Sequence, residues 1–161
     1  MLSTYNRGDP VAIRESPYGA FNFLIKLGEI GGEDQVAGGF SDVTGLANEV
    51  KYVEYRNGND PQNHARKIAT TNITQDVVLK RGLIGDLRLF DWLKATREGT
   101  FDPRTVTIVL LDEGHAPVFE FVLQRAQPKK WLGPVLMAKG GSEVAMEELQ
   151  LVAEQIDCRS L

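Results

Sequence analysis

The segment that decides the fold lies in the middle of the chain, where residues 50–58 read Val-Lys-Tyr-Val-Glu-Tyr-Arg-Asn-Gly. After a polar stretch, residues 77–82 read Val-Val-Leu-Lys-Arg-Gly and residues 87–93 read Leu-Arg-Leu-Phe-Asp-Trp-Leu. The first two segments are rich in β-branched and aromatic residues and end at glycines, which favours strands. The third has apolar residues at helical spacing. This order predicts a mainly β domain with one amphipathic helix.

The helix is predicted over about residues 86–98. Asp86 suits the N-cap, Lys94 and Arg97 in the last turn complement the helix dipole, and Gly99 suits the C′ position. Leu87, Phe90 and Leu93 form the main apolar stripe, with Trp92 beside it. We expect an aromatic residue on a short helix to pack against a sheet more often than to stack on a ligand. The residues predicted to pack the helix are Leu87, Phe90, Trp92 and Leu93.

Alternation of apolar and polar residues predicts strands elsewhere in the chain. The predicted strands cover residues 21–27, 36–45, 46–56, 73–81, 105–110 and 118–122. A turn at residues 112–115 joins the last two into a hairpin, and residues 126–134, with two prolines, predict an irregular crossing. Residues 142–156 fit a helical stripe and, in part, strand alternation, and propensity alone favours the helix.

Length and composition bound the function. The 161 residues suit one domain with its own core, and 22 acidic against 18 basic side chains give a net charge of -4, which disfavours nucleic-acid binding as a main role. Residues 1–18 are polar and predict an extended N-terminal arm, with a domain over residues 19–161. The single cysteine, Cys158, suits a reducing cytosol as a free surface thiol. We expect no signal peptide and no membrane insertion.

Candidate catalytic residues are few and scattered. His64 has no second histidine or cysteine nearby in sequence, His115 falls in a turn, and Glu147 with Glu148 form the remaining pair of interest. The pair Gly38-Gly39 lacks the spacing of a phosphate loop, and the Gly-x-Ser-x-Gly and His-Glu-x-x-His motifs are missing from the sequence. We therefore expect no catalytic site, no metal site and no cofactor, and a protein that is not an enzyme.

Several segments, taken in order, resemble the tail-tube proteins of contractile phages and the inner-tube proteins of contractile injection systems. The resemblance spans about residues 21–155. Its motifs are Gly39–Leu46, Glu54–Gly58, Leu79–Gly82, Phe90–Trp92, Ile108–Asp112, the crossing with Ala126, Pro128 and Lys130, and the closing segment Ser142–Leu149.

The resemblance implies a small antiparallel β-barrel or sandwich with one flanking helix, related to the tube protein of type VI systems. It also implies that residues 144–153 form a strand, against their helical pattern. In this family six copies close into a ring, and rings stack inside a contractile sheath to form a conduit for cargo or DNA. The implied partners are the sheath, baseplate and spike proteins, after assembly in the bacterial cytoplasm. The alternative is a baseplate-proximal paralogue that starts the tube and joins it to the spike.

Residues 57–71 predict a polar loop that is long enough to have a role of its own. Within a tube, this loop is a candidate contact to a neighbouring subunit or a stacked ring. The residues predicted for this assembly interface are Asn57, Gly58, Asn59, Asp60, Asn63, His64, Arg66 and Lys67.

Overall fold

The computed structural model describes residues 14–28, 35–36, 39–141 and 143–161. Over these residues the chain is mainly β, as predicted, with ten strands and one helix. The elements are β1 (Phe23–Leu27), β2 (Gln35–Val36), β3 (Asp42–Thr44), β4 (Asn48–Tyr55), β5 (Arg66–Thr74), β6 (Val77–Gly82), α1 (Arg88–Arg97), β7 (Arg104–Leu111), β8 (Pro117–Leu132), β9 (Met146–Val152) and β10 (Gln155–Ser160).

The long strand β8 organises the architecture because it belongs to two sheets. Its first half pairs with β7 and β10, and its second half pairs with β9. The first sheet therefore has the order β2-β1-β7-β8-β10, and the second has the order β8-β9-β6-β3. All of these pairings are antiparallel. The arrangement is sandwich-like and does not close into a barrel.

β8 corrects the irregular crossing predicted over residues 126–134. The strand runs on to Leu132, with a register shift between Pro128 and Lys130. Proline is tolerated because this half of β8 is hydrogen-bonded only to β9 among the described strands, so its other edge needs no N–H donor. The bend lies at Arg125, whose φ of 50° places it in the left-handed region, where β8 passes from one sheet to the other.

One apolar core lies between the two sheets. Alternate residues of β6 are buried, as the period-two pattern predicts, and residues of β1, β7 and β9 complete the layer. The buried cluster comprises Ile25, Leu27, Val77, Leu79, Leu89, Trp92, Val106, Ile108, Leu123, Ala126, Leu149, Leu151 and Ile156. Each large apolar side chain buried here contributes about 1.5–3 kcal/mol through removal of its surface from water.

The helix packs in part through the predicted residues, since Trp92 is buried and Phe90 contacts Trp131 edge to face with ring centroids 5.1 Å apart. Its buried residues are Leu89 and Trp92, three positions apart, while Leu87 is 60% exposed and precedes the helix as its N-cap residue. Phe90 and Leu93 are half-buried. In so short a helix the apolar residues fit two neighbouring stripes, and the stripe carrying the large indole is the one that docks.

The predicted helix ends agree better with the structure. The Asp86 carboxylate accepts a hydrogen bond from the Arg88 backbone N–H at 3.1 Å, although Asp86 is one residue before the N-cap. Lys94 and Arg97 lie in the last turn, and Gly99 has a φ of 95°. These residues support the helix dipole and the left-handed chain exit that the sequence predicts.

The last third of the chain and residues 36–45 form strands that differ in part from the predicted ones. The closing segment forms β9, so the strand implied by the family resemblance is confirmed over the helical pattern. The strand predicted over residues 36–45 is wrong as a single element, because β2 and β3 are short and belong to different sheets; residues 37–38 lie outside the described part. Strand β10 was not predicted.

Residues 14–18 lie against the hairpin of β7 and β8. The Arg14 guanidinium donates to both carboxylate oxygens of Glu113 at 3.1 and 3.2 Å and stacks over the Tyr18 ring at 4.5 Å. Tyr18 contacts Phe119 edge to face, with ring centroids 5.9 Å apart. The hydrogen bonds from Arg14 hold the pKa of Glu113 below its usual value. The division between an arm over residues 1–18 and a domain over residues 19–161 stays a prediction.

Candidate functional site

Strands β4 and β5 form an arm that extends beyond the sandwich. They pair with each other and, within the described part of the chain, with no other strand. β3 leads into β4 and β5 leads into β6, and β3 and β6 pair in the second sheet. The arm, residues 48–74, is thus the outer part of one long hairpin. Eight residues of β4 give it a length of about 26 Å.

The base of the arm is fixed in place. Gly45 has a φ of 87°, and a Cβ atom there would overlap with the carbonyl oxygen of Asp76, so glycine is required where the hairpin leaves the sheet. The Asn48 side-chain amide donates to the Ile156 carbonyl at 2.8 Å, and the Thr74 hydroxyl donates to the Ala153 carbonyl at 2.7 Å. These bonds set the direction of the arm relative to β9 and β10.

The arm exposes apolar side chains on both faces. Every residue of β4 is exposed, and so are most residues of β5. The large apolar residues concerned are between 43% and 61% exposed: Val50, Tyr52, Val53, Tyr55 and Ile68. A two-stranded hairpin alone is at best marginally stable in water. The arm therefore leaves apolar surface in water that its own subunit does not cover.

The predicted interface loop lies at the far end of the arm, but it is shorter than predicted. Strand β5 begins at Arg66, so Arg66 and Lys67 are strand residues opposite Tyr55 and Glu54, which corrects the loop predicted over residues 57–71. The connection between the strands is residues 56–65, with a turn in which the Asp60 N–H donates to the Asn57 carbonyl at 3.1 Å. β5 was not recognised because a strand exposed on both faces shows no apolar alternation.

The opposite end of the second sheet carries a second apolar surface. The connections that follow β6 and β8 meet there, and the Leu83 N–H donates to the Ala145 carbonyl at 2.9 Å. Eight large apolar side chains at this end are between 37% and 85% exposed. We call them the apolar end: Leu83, Ile84, Leu87, Leu132, Val135, Leu136, Met137 and Val144. Exposed apolar groups gathered in one place mark interaction sites.

A buried ion pair holds the apolar end together. The Arg81 Nε donates to the Glu147 Oε1 at 2.5 Å, and both side chains are almost fully buried. The second Glu147 oxygen accepts a hydrogen bond from the Trp131 indole at 3.0 Å, and Arg81 also donates to the Asp86 carbonyl at 2.9 Å. Hydrogen bonds from Arg88 hold the pKa of Asp86 well below its usual range. Glu147, considered from the sequence for catalysis, has a structural role here.

The other candidate catalytic residues are not brought together. His64 is exposed in the arm's connection and His115 is exposed in the turn between β7 and β8. Glu148 pairs with Lys80 across the second sheet at 3.4 Å, and Cys158 is a free, exposed thiol. Among residues 14–28, 35–36, 39–141 and 143–161, no cluster of three or more His, Cys, Asp or Glu side chains is placed to hold a metal ion. The described part likewise has no helix long and apolar enough to cross a membrane.

Comparison of the sequence with known protein families identifies the class of protein that has this sandwich and arm. Residues 19–157 match the family described as T4-like virus tail tube protein gp19. Because the match covers most of the chain, the protein belongs to this tail tube family. The resemblance found in the motifs is therefore confirmed. No curated protein matches the chain in sequence.

Solved structures share the fold. A chain of the PVC sheath-tube complex, from an extracellular contractile injection system in its extended state, is 21% identical with a TM-score of 0.79, over 91% of this chain and 94% of that one. A chain of the anti-feeding prophage baseplate is 22% identical with a TM-score of 0.79, over 91% and 97%. Hcp1 from Flavobacterium johnsoniae is 12% identical with a TM-score of 0.53, over 84% and 93%.

Proposed function

We propose that this protein is a structural inner-tube subunit that closes into six-membered rings, which stack into a tube inside a contractile sheath. The observation that carries the proposal is the arm, which leaves the core of its own subunit and exposes apolar residues on both faces. A subunit that worked alone would leave this surface in water. The protein works by assembly and not by catalysis, as a component of a phage tail or a phage tail-like particle built in the bacterial cytoplasm.

The two edges of the second sheet support ring closure. β3 bonds only to β6, and the second half of β8 bonds only to β9, within the described residues. Unpaired edges invite pairing with another chain, and a closed ring removes them. Four strands from each of six copies make 24 strands. At about 4.8 Å per strand their circumference is about 115 Å, so the ring would enclose a channel about 37 Å across between backbones, and wider if the strands tilt.

The face of the second sheet that points away from the core suits a passive conduit. One row across this face places Asp42 beside Lys80 and Lys80 beside Glu148. The next row places Lys130 beside Gln150. Two acidic and two basic side chains cancel, so a cargo or a nucleic acid passing through would meet no strong field of either sign. The cargo thus moves without being retained.

A baseplate-proximal tube initiator, joining the tube to the spike, is the second candidate. This chain resembles a chain of the anti-feeding prophage baseplate and the PVC sheath-tube chain with the same TM-score. The baseplate likeness supports the initiator role. The two roles differ in copy number. A main tube subunit polymerises by itself at high concentration, whereas an initiator stops at a single ring.

Mass photometry and negative-stain microscopy of the purified protein test the proposal. We expect particles of about six subunits, each of 17.8 kDa, that grow into tubes as the concentration rises. Single rings at every concentration would support the initiator role. A strict monomer at high concentration, in a chain that is folded by circular dichroism, would contradict both.

A further inference from the structure

The sandwich leaves an apolar cleft open at one edge of the second sheet. The cleft lies between the edge strand β3 and the core-facing side of β1, β7 and β8, and its volume is about 350 Å³. An apolar cavity of about 150 Å³ already holds a benzene ring, so this cleft has room for more than one large side chain. We call it the β3 cleft, and its main lining residues are Tyr18, Phe23, Val43, Leu46, Leu110 and Phe121.

The helix α1 flanks the opposite edge of the second sheet. It lies against β8, and the ring of Phe90 contacts Trp131 in the second half of that strand, which is the other edge. Beyond the two side chains that α1 buries in its own core, Phe90 and Leu93 are half-buried and Leu87 is 60% exposed. One flank of the helix therefore keeps apolar surface that its own subunit covers only in part.

We propose that the β3 cleft of each subunit receives this flank of α1 from the next subunit of the same ring. The inference rests on the proposed ring and identifies the side chains that seal its joints. Val43 lines the cleft on the core side of β3, and Trp131 reaches the buried Glu147 on the core side of β8. Pairing β3 with the second half of β8 from the next copy therefore brings cleft and helix together on the same side of the joint.

The direction and charge of the two edge strands select a second copy of this chain as the occupant. The four strands of the second sheet alternate in direction, so β3 and the second half of β8 run antiparallel and can continue the pattern from one copy to the next. Asp42 on β3 and Lys130 on β8 share the face away from the core, and within the described part of the subunit neither forms an ion pair. The joint places these opposite charges on facing edges.

Residues 14–18 are the competing occupant, and their position argues against them. Tyr18 stands at the side of the cleft, where its ring contacts Phe119, and Arg14 is held outside by Glu113. The cleft keeps its volume of about 350 Å³ with this segment in place. The segment therefore forms a wall of the cleft and does not fill it.

Cross-linking between two engineered cysteines tests the contact. Cys158→Ser first removes the chain's single cysteine. Ala20→Cys then labels the cleft at an exposed lining residue, and Leu93→Cys labels the helix flank. The matched control pairs Ala20→Cys with Phe101→Cys, because Phe101 is 65% exposed and lies after the helix, outside the flank. A short bismaleimide reagent is added to assembled protein, and products are separated by denaturing electrophoresis, with folding checked by circular dichroism and rings by negative stain.

We expect the pair of Ala20→Cys and Leu93→Cys to give a ladder of covalent products that ends at six subunits, because each subunit offers one cleft and one helix. Each cysteine alone should give nothing beyond dimers, and the control pair should not give the ladder. Should Leu93→Cys fail to fold, Leu87→Cys serves in its place, since Leu87 is exposed.

Rings that give no ladder with Leu93→Cys or with Leu87→Cys would mean that the helix does not enter the cleft. An equally strong ladder from the control pair would mean that the contact is not specific to the flank. Either result overturns the inference and leaves the proposed tube intact. Absence of rings from the wild-type protein would instead remove the proposed function itself, and the inference with it.

Discussion

Removing the indole of Trp92 should destabilise the subunit more than any change on the neighbouring stripe of the helix. Trp92 is 1% exposed, its Nε1–H donates to the Asp102 carbonyl at 2.9 Å, and Arg104 lies over its ring at 4.8 Å. Trp92→Ala would open a cavity and leave the Asp102 carbonyl without this donor. The expected loss of unfolding free energy is about 3–5 kcal/mol.

The matched control is Leu87→Ala, since sequence periodicity assigns Leu87 to the docking stripe and the structure exposes it. Its truncation should cost less than about 0.5 kcal/mol. Urea denaturation followed by far-UV circular dichroism measures both variants at one low protein concentration, because self-association would add to the apparent stability. A Leu87→Ala variant that loses as much stability as Trp92→Ala would refute the packing described for the helix.

Two further sets of substitutions test whether the arm serves assembly and whether the ion pairs of Asp86 stabilise the subunit. Replacing Arg66 and Lys67 with alanine should leave the unfolding free energy of the subunit within about 0.5 kcal/mol of the parent and reduce tube length in negative stain, because both lie on the exposed arm. A clear loss of stability, or tubes of full length, would contradict this. Asp86→Asn should lower stability at pH 7 by about 1–3 kcal/mol, because the folded-state pKa of Asp86 is depressed and its ionised form is bound by Arg88 and Arg81. That stability is present above the unfolded pKa of about 4 and is lost as the pH falls below it, so the difference between variant and parent should shrink in urea titrations towards pH 3.

The parts of the fold that bury alternate residues could be predicted from the sequence. β6 shows a strict period of two in its burial because one face meets the core, and Val106 and Ile108 of β7 follow the same rule. β5 could not be found in this way, since the arm has no buried face within its own subunit. The second half of β8 was missed because Pro128 signals a break, and only the free edge of the sheet makes that proline harmless.

One part of the candidate site could also be predicted from the sequence, and the other part could not. The predicted interface residues, from Asn57 to Lys67, do fall at the end of the projecting arm, because a polar stretch between two strands is a local signal. The apolar end was not predicted, since an apolar run such as Val135, Leu136 and Met137 has no local signal of whether it is buried or exposed. The pair of Arg81 and Glu147 spans 66 positions along the chain and leaves no local pattern. The apolar end depends on which connections the topology brings to one end of the second sheet, and the ion pair depends on the antiparallel pairing of β6 with β9.

The most direct test of the central claim is a cryo-electron microscopy reconstruction of the assembled tube. The proposed assembly predicts sixfold rings in which β3 of one subunit lies beside the second half of β8 of the next. It also predicts a channel lined by the face that carries Asp42, Lys80 and Glu148. Rings that join through other edges, or a channel lined mainly by lysine and arginine, would contradict it.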